Sequence, residues 1–223
     1  MFAVLLPVKE FRRSKQRLAT WLPLVEREAL AQAMFEDVWA MRQSSFVRDR
    51  LFVVSSEPYV IERCRKDSVP CQIEADQHSH SDSVTEATRW AMSHGVTSLL
   101  SIPIDTPAVT ADEISVLAEL GDRYSVVVVP SADGTGTNAL LRTPPDAIAP
   151  QFGPGSCALH LQQAKAKGLS HSVYPVESLA ADIDTPEDAE HFLSLDHACR
   201  TTTLLRQWLD RRQEIRRGVA VCS

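Results

Sequence analysis

The chain has 223 residues, of which 44% are hydrophobic and 23% are charged, and its formal net charge is -6. This length fits one substantial domain with appendages, and the composition is that of a globular protein with a buried core. The acidic balance argues against a nucleic-acid partner, so a phosphate-binding site would have to be local.

The cysteines and the start of the chain indicate a cytoplasmic protein without a membrane partner. The apolar run at residues 2–8 is interrupted by Pro7 and followed by Lys9, so it is too short for a signal peptide core or a membrane span. The cysteines are odd in number, widely spaced and without a metal-ligand pattern, which favours reduced thiols. They are Cys64, Cys71, Cys157, Cys199 and Cys222. The sequence leaves open whether the protein forms a homodimer.

Short apolar segments alternate with helical patterns over the first 130 residues. The predicted strands cover residues 3–8, 51–55, 98–102 and 125–130. The predicted helices, with apolar residues at three- and four-residue spacing, cover residues 26–43, 58–66, 83–94 and 111–120. This alternation predicts an α/β fold with a parallel sheet and crossover helices.

The pattern changes after Pro130. A glycine- and threonine-rich stretch, a double proline and the string FGPGS before Cys157 predict an inserted β-hairpin and an acceptor-binding loop. A strand at residues 171–175, a helix at 186–195 and an amphipathic helical tail from His197 complete the prediction. The chain is thereby divided into one domain, residues 1–196, and a C-terminal helical tail, residues 197–223.

Basic residues crowd the loop that follows the first predicted strand. They are Lys9, Arg12, Arg13, Lys15 and Arg17. Ligands of open α/β sheets bind at the carboxyl ends of the strands. Cations there can neutralise a triphosphate, and a lysine can stabilise charge on a reacting α-phosphate. The alternative is a solvated basic loop.

Three aspartates predict a metal site. Asp105 directly follows an apolar strand, while Asp182 and Asp184 alternate on an extended segment and therefore face the same side. Two carboxylates on one face repel each other unless a cation lies between them, which favours bound Mg²⁺. In the alternative, Asp105 is a turn residue and Asp184 or Thr185 caps the helix that begins at Pro186.

Two glycine-containing strings, GTGTNAL and FGPGS, predict an anion site. Gly153 and Gly155 let backbone N–H groups approach an oxyanion, and Ser156 adds a hydroxyl at the positive end of a helix. Together with Thr137, these residues are predicted to hold the phosphate or carboxylate of an acceptor. The alternative is a pair of glycine turns around a hairpin.

The strings PVK, SKQRL, GTNAL, FGPGS and DIDTPED, together with Asp105, resemble the 2-phospho-L-lactate guanylyltransferase family of coenzyme F-420 biosynthesis. They occur in the family's order over residues 1–195. The resemblance implies a single-domain, Rossmann-like nucleotidyltransferase fold related to that of molybdenum-cofactor guanylyltransferases. It also implies an enzyme that transfers GMP from GTP to a phosphorylated hydroxy acid and releases pyrophosphate. Family members use 2-phospho-L-lactate, phosphoenolpyruvate or 3-phospho-D-glycerate.

The resemblance also implies residue roles. Those at the GTP phosphates are Lys9, Lys15 and Arg17, and those around Mg²⁺ are Asp105, Asp182 and Asp184. The residues at the acid are Thr137, Gly153 and Ser156, and the catalytic residues are Lys15, Asp105 and Asp182. The segment HSHSDSVTEAT replaces a Gly-Leu-Asn-like string of the family. Two alternatives follow: a transferase using CTP or UTP with a sugar or alcohol phosphate, and a catalytically inactive nucleotide-binding protein.

Overall fold

The computed structural model describes residues 1–74 and 79–221, and the side chains as far as residue 211. Cys222 lies outside the described residues. The strands are β1 Phe2–Val8, β2 Leu51–Ser55, β3 Cys71–Ile73, β4 Ser98–Ser101, β5 Val126–Pro130, β6 Thr137–Arg142 and β7 His171–Val173. The helices are α1 Leu24–Trp39, α2 Ser45–Arg48, α3 Pro58–Lys66, α4 His80–Ser93, α5 Ala111–Leu120, α6 Ser156–Ala166, α7 Glu177–Ala180, α8 Pro186–Ser194 and α9 Arg200–Val221.

The strands form one sheet in the order β3-β2-β1-β4-β6-β5-β7. Every neighbouring pair is parallel except those made by β6, which runs antiparallel to β4 and β5. The predicted α/β fold with a mostly parallel sheet and an inserted hairpin is confirmed. Because β6 is reversed, it begins where the parallel strands end, and we call this side of the sheet the carboxyl edge.

Both faces of the sheet are covered, which explains why its strands are continuous apolar runs. Along β1, Val4 and Leu6 pack into the core under α1, whereas Ala3 and Leu5 pack into a second core under α4. Residues that alternate along a strand point to opposite faces, so both sets must be apolar. This packing fixes the position at which β1 ends, next to the basic loop.

Several element boundaries differ from the sequence prediction. Strand β3 was not predicted, because it has three residues and none of them is fully buried. Helix α1 ends at Trp39 and continues as a 3₁₀ turn, Ala40–Gln43. Helix α4 begins three residues early because the hydroxyl of Ser79 caps it, accepting a 3.2 Å hydrogen bond from the N–H of Asp82.

The C-terminal helix α9 packs against α1. Leu205 and Trp208 are buried in the main core, while Arg206 on the same helix is exposed. The carboxylate of Asp37 accepts hydrogen bonds from the N–H groups of Arg200 (3.0 Å) and Thr201 (2.8 Å) at the start of α9. The division into residues 1–196 and 197–223 stays a prediction.

Two further observations concern the cysteines and membranes. Cys64, Cys71, Cys157 and Cys199 are free thiols. Within the described residues, no helix combines the length and the apolar character needed to cross a membrane.

Candidate active site

Several of the predicted site residues line a cleft at the carboxyl edge. The fold brings the loop after β1, the loop after β4, the start of β6 and the segment before α8 to this edge. The cleft has a volume of about 560 Å³. Its lining includes Arg17, Thr137, Asn138, Gly153, Asp182 and Asp184.

Lys15 lies at the centre of a carboxylate cluster. Its side chain is only 5% exposed, and Nζ donates hydrogen bonds to Asp105 Oδ2 at 3.0 Å and Asp184 Oδ1 at 2.8 Å. Burial lowers the pKa of this ammonium, but the charges of Asp105 and Asp184 outweigh burial, so the pKa is raised. Lys15 therefore remains a cation between two carboxylates.

A left-handed backbone conformation aims Lys15 into this cluster. Its φ is 54°, which is uncommon for a residue other than glycine, and a 3₁₀ turn, Gln16–Leu18, follows directly. The buried side chain of Leu18 anchors the turn in the core. The two ion pairs of Lys15 help to hold a conformation that the backbone alone disfavours.

The two alternating aspartates differ in their partners. Asp182 Oδ1 accepts a 2.9 Å hydrogen bond from the amide of Asn138, and burial raises the pKa of Asp182, with Asp105 raising it further. Burial also acts to raise the pKa of Asp184, but Lys15 outweighs it and the pKa of Asp184 is lowered. Asp184 is thus ion-paired with Lys15, whereas Asp182 is held by the amide of Asn138.

Of the two residues that the sequence analysis considered as caps for α8, Thr185 caps the helix and the side chain of Asp184 does not. Thr185 Oγ1 accepts a 3.2 Å hydrogen bond from the N–H of Asp188, and Asp188 Oδ2 accepts from the N–H of Thr185 at 2.7 Å. This reciprocal pair is a capping box. The side chain of Asp184 contacts Lys15 instead, and Arg17 approaches it at 3.9 Å.

No three carboxylate, histidine or cysteine side chains within residues 1–74 and 79–221 converge tightly enough to hold a metal ion unaided. The ammonium of Lys15 stands between Asp105 and Asp184. Mg²⁺ in phosphoryl-transfer sites is usually held by one or two carboxylates together with substrate phosphates and water. An incomplete set of carboxylate oxygens is what such a site would present without its nucleotide.

Lys9 belongs to a second cluster. Its Nζ donates to Glu74 Oε2 at 2.9 Å and to the hydroxyl of Ser83. The Glu74 side chain is 3% exposed, and its other oxygen, Oε1, is buried without a hydrogen-bond partner among the described residues. The structure therefore pairs Lys15 with two of the aspartates, whereas Lys9 is paired with Glu74 and Ser83.

The predicted acceptor residues lie together on the other side of the cleft. Ser156 Oγ donates to Thr137 Oγ1 at 3.1 Å, and His160 Nδ1 lies 3.1 Å from the same oxygen. Gly153 and Gly155 have φ values of 127° and 73°, which a residue with a side chain rarely adopts. Ser156 is fully buried, so its hydroxyl reaches the cleft only through Thr137.

Asn138 is a site residue that the sequence analysis missed. Its amide donates to the carbonyl of Leu179 at 2.7 Å as well as to Asp182, and it thereby fixes the segment that carries the aspartate. The available signal was an asparagine directly before the apolar run Ala139, Leu140 and Leu141. A buried amide requires partners, so its position beside Thr137 pointed to a polar site.

Solved structures share this fold. A putative nucleotide-diphospho-sugar transferase from Desulfovibrio desulfuricans G20 matches with a TM-score of 0.76 at 14% identity, covering 92% of this chain and 94% of that chain. A nucleotidyl transferase from Methanothermobacter matches with a TM-score of 0.60 at 19% identity, covering 87% of this chain and 99% of that one. The fold of this chain is therefore that of nucleotidyltransferases.

The similarity of this chain to a family model and to named relatives also identifies its family. The chain belongs to the family described as "Guanylyl transferase CofC like", whose model matches residues 2–209. A phosphoenolpyruvate guanylyltransferase of Conexibacter woesei is 37% identical over 85% of this chain and 85% of its own length. A 3-phospho-D-glycerate guanylyltransferase of Colwellia psychrerythraea is 30% identical, covering 84% of this chain and 89% of the relative. A 2-phospho-L-lactate guanylyltransferase of Methanothermobacter thermautotrophicus is 31% identical, covering 82% and 80%.

Proposed function

We propose that this protein transfers GMP from GTP to the phosphate of a small phosphorylated hydroxy acid in coenzyme F-420 biosynthesis. The acid is 2-phospho-L-lactate, phosphoenolpyruvate or 3-phospho-D-glycerate, the substrates named for its relatives. The observation that carries the proposal is the buried Lys15 between Asp105 and Asp184, with Asp184 and Thr137 lining the same cleft. Such a cleft offers cations for a triphosphate on one side and hydroxyl and backbone donors for an acid on the other.

In this proposal Mg²⁺ is held by Asp182 and Asp105, with Asp184 completing the set when the nucleotide is bound. The donor set fits, because it consists of carboxylate oxygens and because Lys15 forms its hydrogen bonds with Asp105 and Asp184, while Asp182 is held by Asn138. When bound, the ion supplies positive charge to the phosphate oxygens of GTP. Cytoplasmic Mg²⁺ would reach this open cleft together with the nucleotide.

The reaction needs positioning and charge neutralisation more than proton transfer. An oxygen of the acid's phosphate attacks the α-phosphorus of GTP, the new phosphorus–oxygen bond forms, and the bond to the β-phosphate breaks with its electron pair leaving on pyrophosphate. In the proposal, Lys15 lies opposite the α-phosphate, where negative charge develops during the reaction. Because Lys15 is buried and remains protonated, it provides a fixed positive charge there. Arg17, exposed at the rim, and Lys9 attract the triphosphate.

On the acceptor side, Thr137 offers its hydroxyl and the glycine turn at Gly153 and Gly155 offers backbone N–H groups. Ser156 supports Thr137 from within the protein. Holding the acid in line with the α-phosphorus converts a bimolecular step into one between aligned groups. The acid's phosphate is already ionised at neutral pH, so no general base is assigned.

The proposal is tested by incubating the purified protein with Mg²⁺, GTP and each of the three acids, with pyrophosphate release and product mass as readouts. We expect a guanylylated product with at least one acid, and much less product when CTP or UTP replaces GTP. An Asp182→Asn variant serves as the matched inactive control. Product formation only with CTP or UTP would show a transferase of different specificity, and GTP binding without turnover would show an inactive nucleotide-binding protein.

A further inference from the structure

His160 occupies a buried position behind the proposed acid site. It lies on α6, one turn after Ser156, and its side chain is fully buried. Nε2 accepts a 2.9 Å hydrogen bond from the backbone N–H of Gln151, and Nδ1 lies 3.1 Å from Thr137 Oγ1. The imidazole therefore joins the loop before α6 to the first residue of β6.

The backbone contact determines which ring nitrogen carries the proton. A backbone N–H can only donate, so Nε2 must be the unprotonated nitrogen of the ring. Burial, followed by the charge of Arg142, lowers the pKa of His160 to about 4, so the ring is neutral at physiological pH. A neutral imidazole has one N–H, which must then be at Nδ1 and must donate to Thr137.

The hydrogen-bonding capacity of Thr137 follows from this assignment. Its hydroxyl oxygen has two lone pairs and one hydrogen. One lone pair accepts from His160 Nδ1 and the other accepts from Ser156 Oγ, so both are used. The remaining hydrogen has no acceptor in this triad and is free to donate into the cleft that Thr137 lines.

We propose that His160 is a positioning residue that holds the Thr137 hydroxyl as a hydrogen-bond donor toward the phosphorylated acid. This inference rests on the proposed function and deepens it. A hydroxyl that is free to rotate presents either a lone pair or a hydrogen to its ligand. With both lone pairs occupied, Thr137 presents a hydrogen only, which suits the anionic oxygens of a phosphate or carboxylate and costs no reorganisation on binding.

The test compares substitutions that separate donation from packing. His160→Leu fills most of the volume and removes the donor, whereas His160→Asn places an amide N–H near the position of Nδ1. Gln163→Ala is the matched control, because Gln163 on the same helix binds the same loop, at Ala149 and Gln151, without contacting Thr137. Thr137→Val removes the hydroxyl and keeps its shape. Melting temperatures confirm that each variant is folded.

We expect His160→Leu to raise the Michaelis constant for the acid on the order of tenfold, while that for GTP stays at the wild-type value. His160→Asn should recover most of the loss, and Gln163→Ala should show none. In a Thr137→Val background, His160→Leu should add no further effect, because the hydroxyl that it orients is gone.

Three results would overturn the inference. They are an unchanged Michaelis constant for the acid in His160→Leu, an equal loss in Gln163→Ala, and full additivity with Thr137→Val. These differ from a failure of the proposed function, in which the wild-type protein itself would form no product with any of the three acids. That result would exclude the three acids as substrates, and the inference about Thr137 would then be wrong as well.

Discussion

The backbone N–H of Ile183 donates a 3.1 Å hydrogen bond to the backbone carbonyl of Asp105. Ile183 is fully buried, so this bond is shielded from water. It joins the loop after β4 to the segment before α8 and places the flanking carboxylates, Asp182 and Asp184, beside Asp105. This backbone contact therefore brings the three carboxylates together alongside the side-chain contacts of Lys15 and Asn138.

The first prediction concerns the carboxylates. Asp105→Asn and Asp182→Asn each remove negative charge with little change in volume, and we expect both to abolish most turnover. The loss of one metal ligand costs on the order of several kcal/mol of transition-state stabilisation. Steady-state rates over a Mg²⁺ titration measure the effect, and the melting temperature controls for folding. Wild-type rates at low Mg²⁺ in both variants would disprove the metal assignment.

The second prediction concerns Lys15. Lys15→Ala should lower the rate of nucleotidyl transfer on the order of a hundredfold, because it removes a preorganised cation from the reacting α-phosphate. The dissociation constant for GTP should change much less, since an interaction that strengthens in the transition state contributes mainly to the rate. Arg17→Ala, an exposed cation at the rim, is the control and should affect mainly GTP binding. A collapse of GTP affinity at an unchanged rate constant would make Lys15 a ground-state anchor.

The third prediction separates a direct acid contact from an indirect one. Thr137→Ala should raise the Michaelis constant for the acid by roughly tenfold to a hundredfold, the value of a hydrogen bond to a charged group. Ser156→Ala should raise it less, because the buried Ser156 hydroxyl acts through Thr137. The double variant should fall short of additivity. Kinetics with each substrate varied in turn are the measurement, and an effect confined to GTP would assign these residues to the nucleotide.

The fourth prediction uses the pKa of His160, which is lowered to about 4. An exposed histidine has a pKa of about 6.5, so between these values the unfolded chain binds more protons than the folded one. His160 therefore contributes stability that is fully present above about pH 6.5 and is lost as the pH falls toward 4. His160→Asn cannot titrate, so its stability should depend less on pH in this window.

Urea unfolding of both proteins at several pH values measures this effect. The difference in free energy of unfolding between the wild type and His160→Asn should shrink by about 1 kcal/mol for each unit of falling pH. Every other titrating group is common to the two proteins and cancels in the difference. If the free energies of unfolding of the two proteins changed in parallel with pH, the pKa of His160 would not be lowered by folding.

The fifth prediction concerns the C-terminal helix. Trp208 is 3% exposed in the main core, so Trp208→Ala should lower the free energy of unfolding by roughly 3 to 5 kcal/mol. Arg206→Ala on the same helix removes only an exposed ion pair with Asp196 and should have little effect. Equal effects in chemical denaturation would mean that α9 does not contribute to the main core as a packed element.

The sequence predicted those parts of the fold that are determined by local pattern. Strands β1, β2 and β5 are continuous apolar runs buried on both faces, so their composition alone identified them. Strand β3 is short and partly exposed, and it exists because it pairs with β2. Pairing between distant segments leaves no periodic signal within the segment itself.

The same limit applies to the site. Alternation placed Asp182 and Asp184 on one side of an extended segment, but it could not show that one is neutralised by Lys15 and the other is held by Asn138. The grouping of Lys9 with Glu74 was also beyond the sequence, since β3 was not predicted. Partners supplied by tertiary contacts decide what each charged group does.

The reversed strand β6 brings the two proposed halves of the cleft together from opposite strand directions. Lys15 and Asp105 follow the parallel strands β1 and β4, whereas Thr137 opens a strand that enters the sheet from the opposite direction. The loops around Thr137 and Gly153 are therefore separate in sequence from those that carry Lys15 and Asp105, and Asn138 on β6 connects the two groups through Asp182. Under the proposed function, exchange of the loop around Gly153 could recruit a new acceptor while the loops proposed to bind the nucleotide are kept.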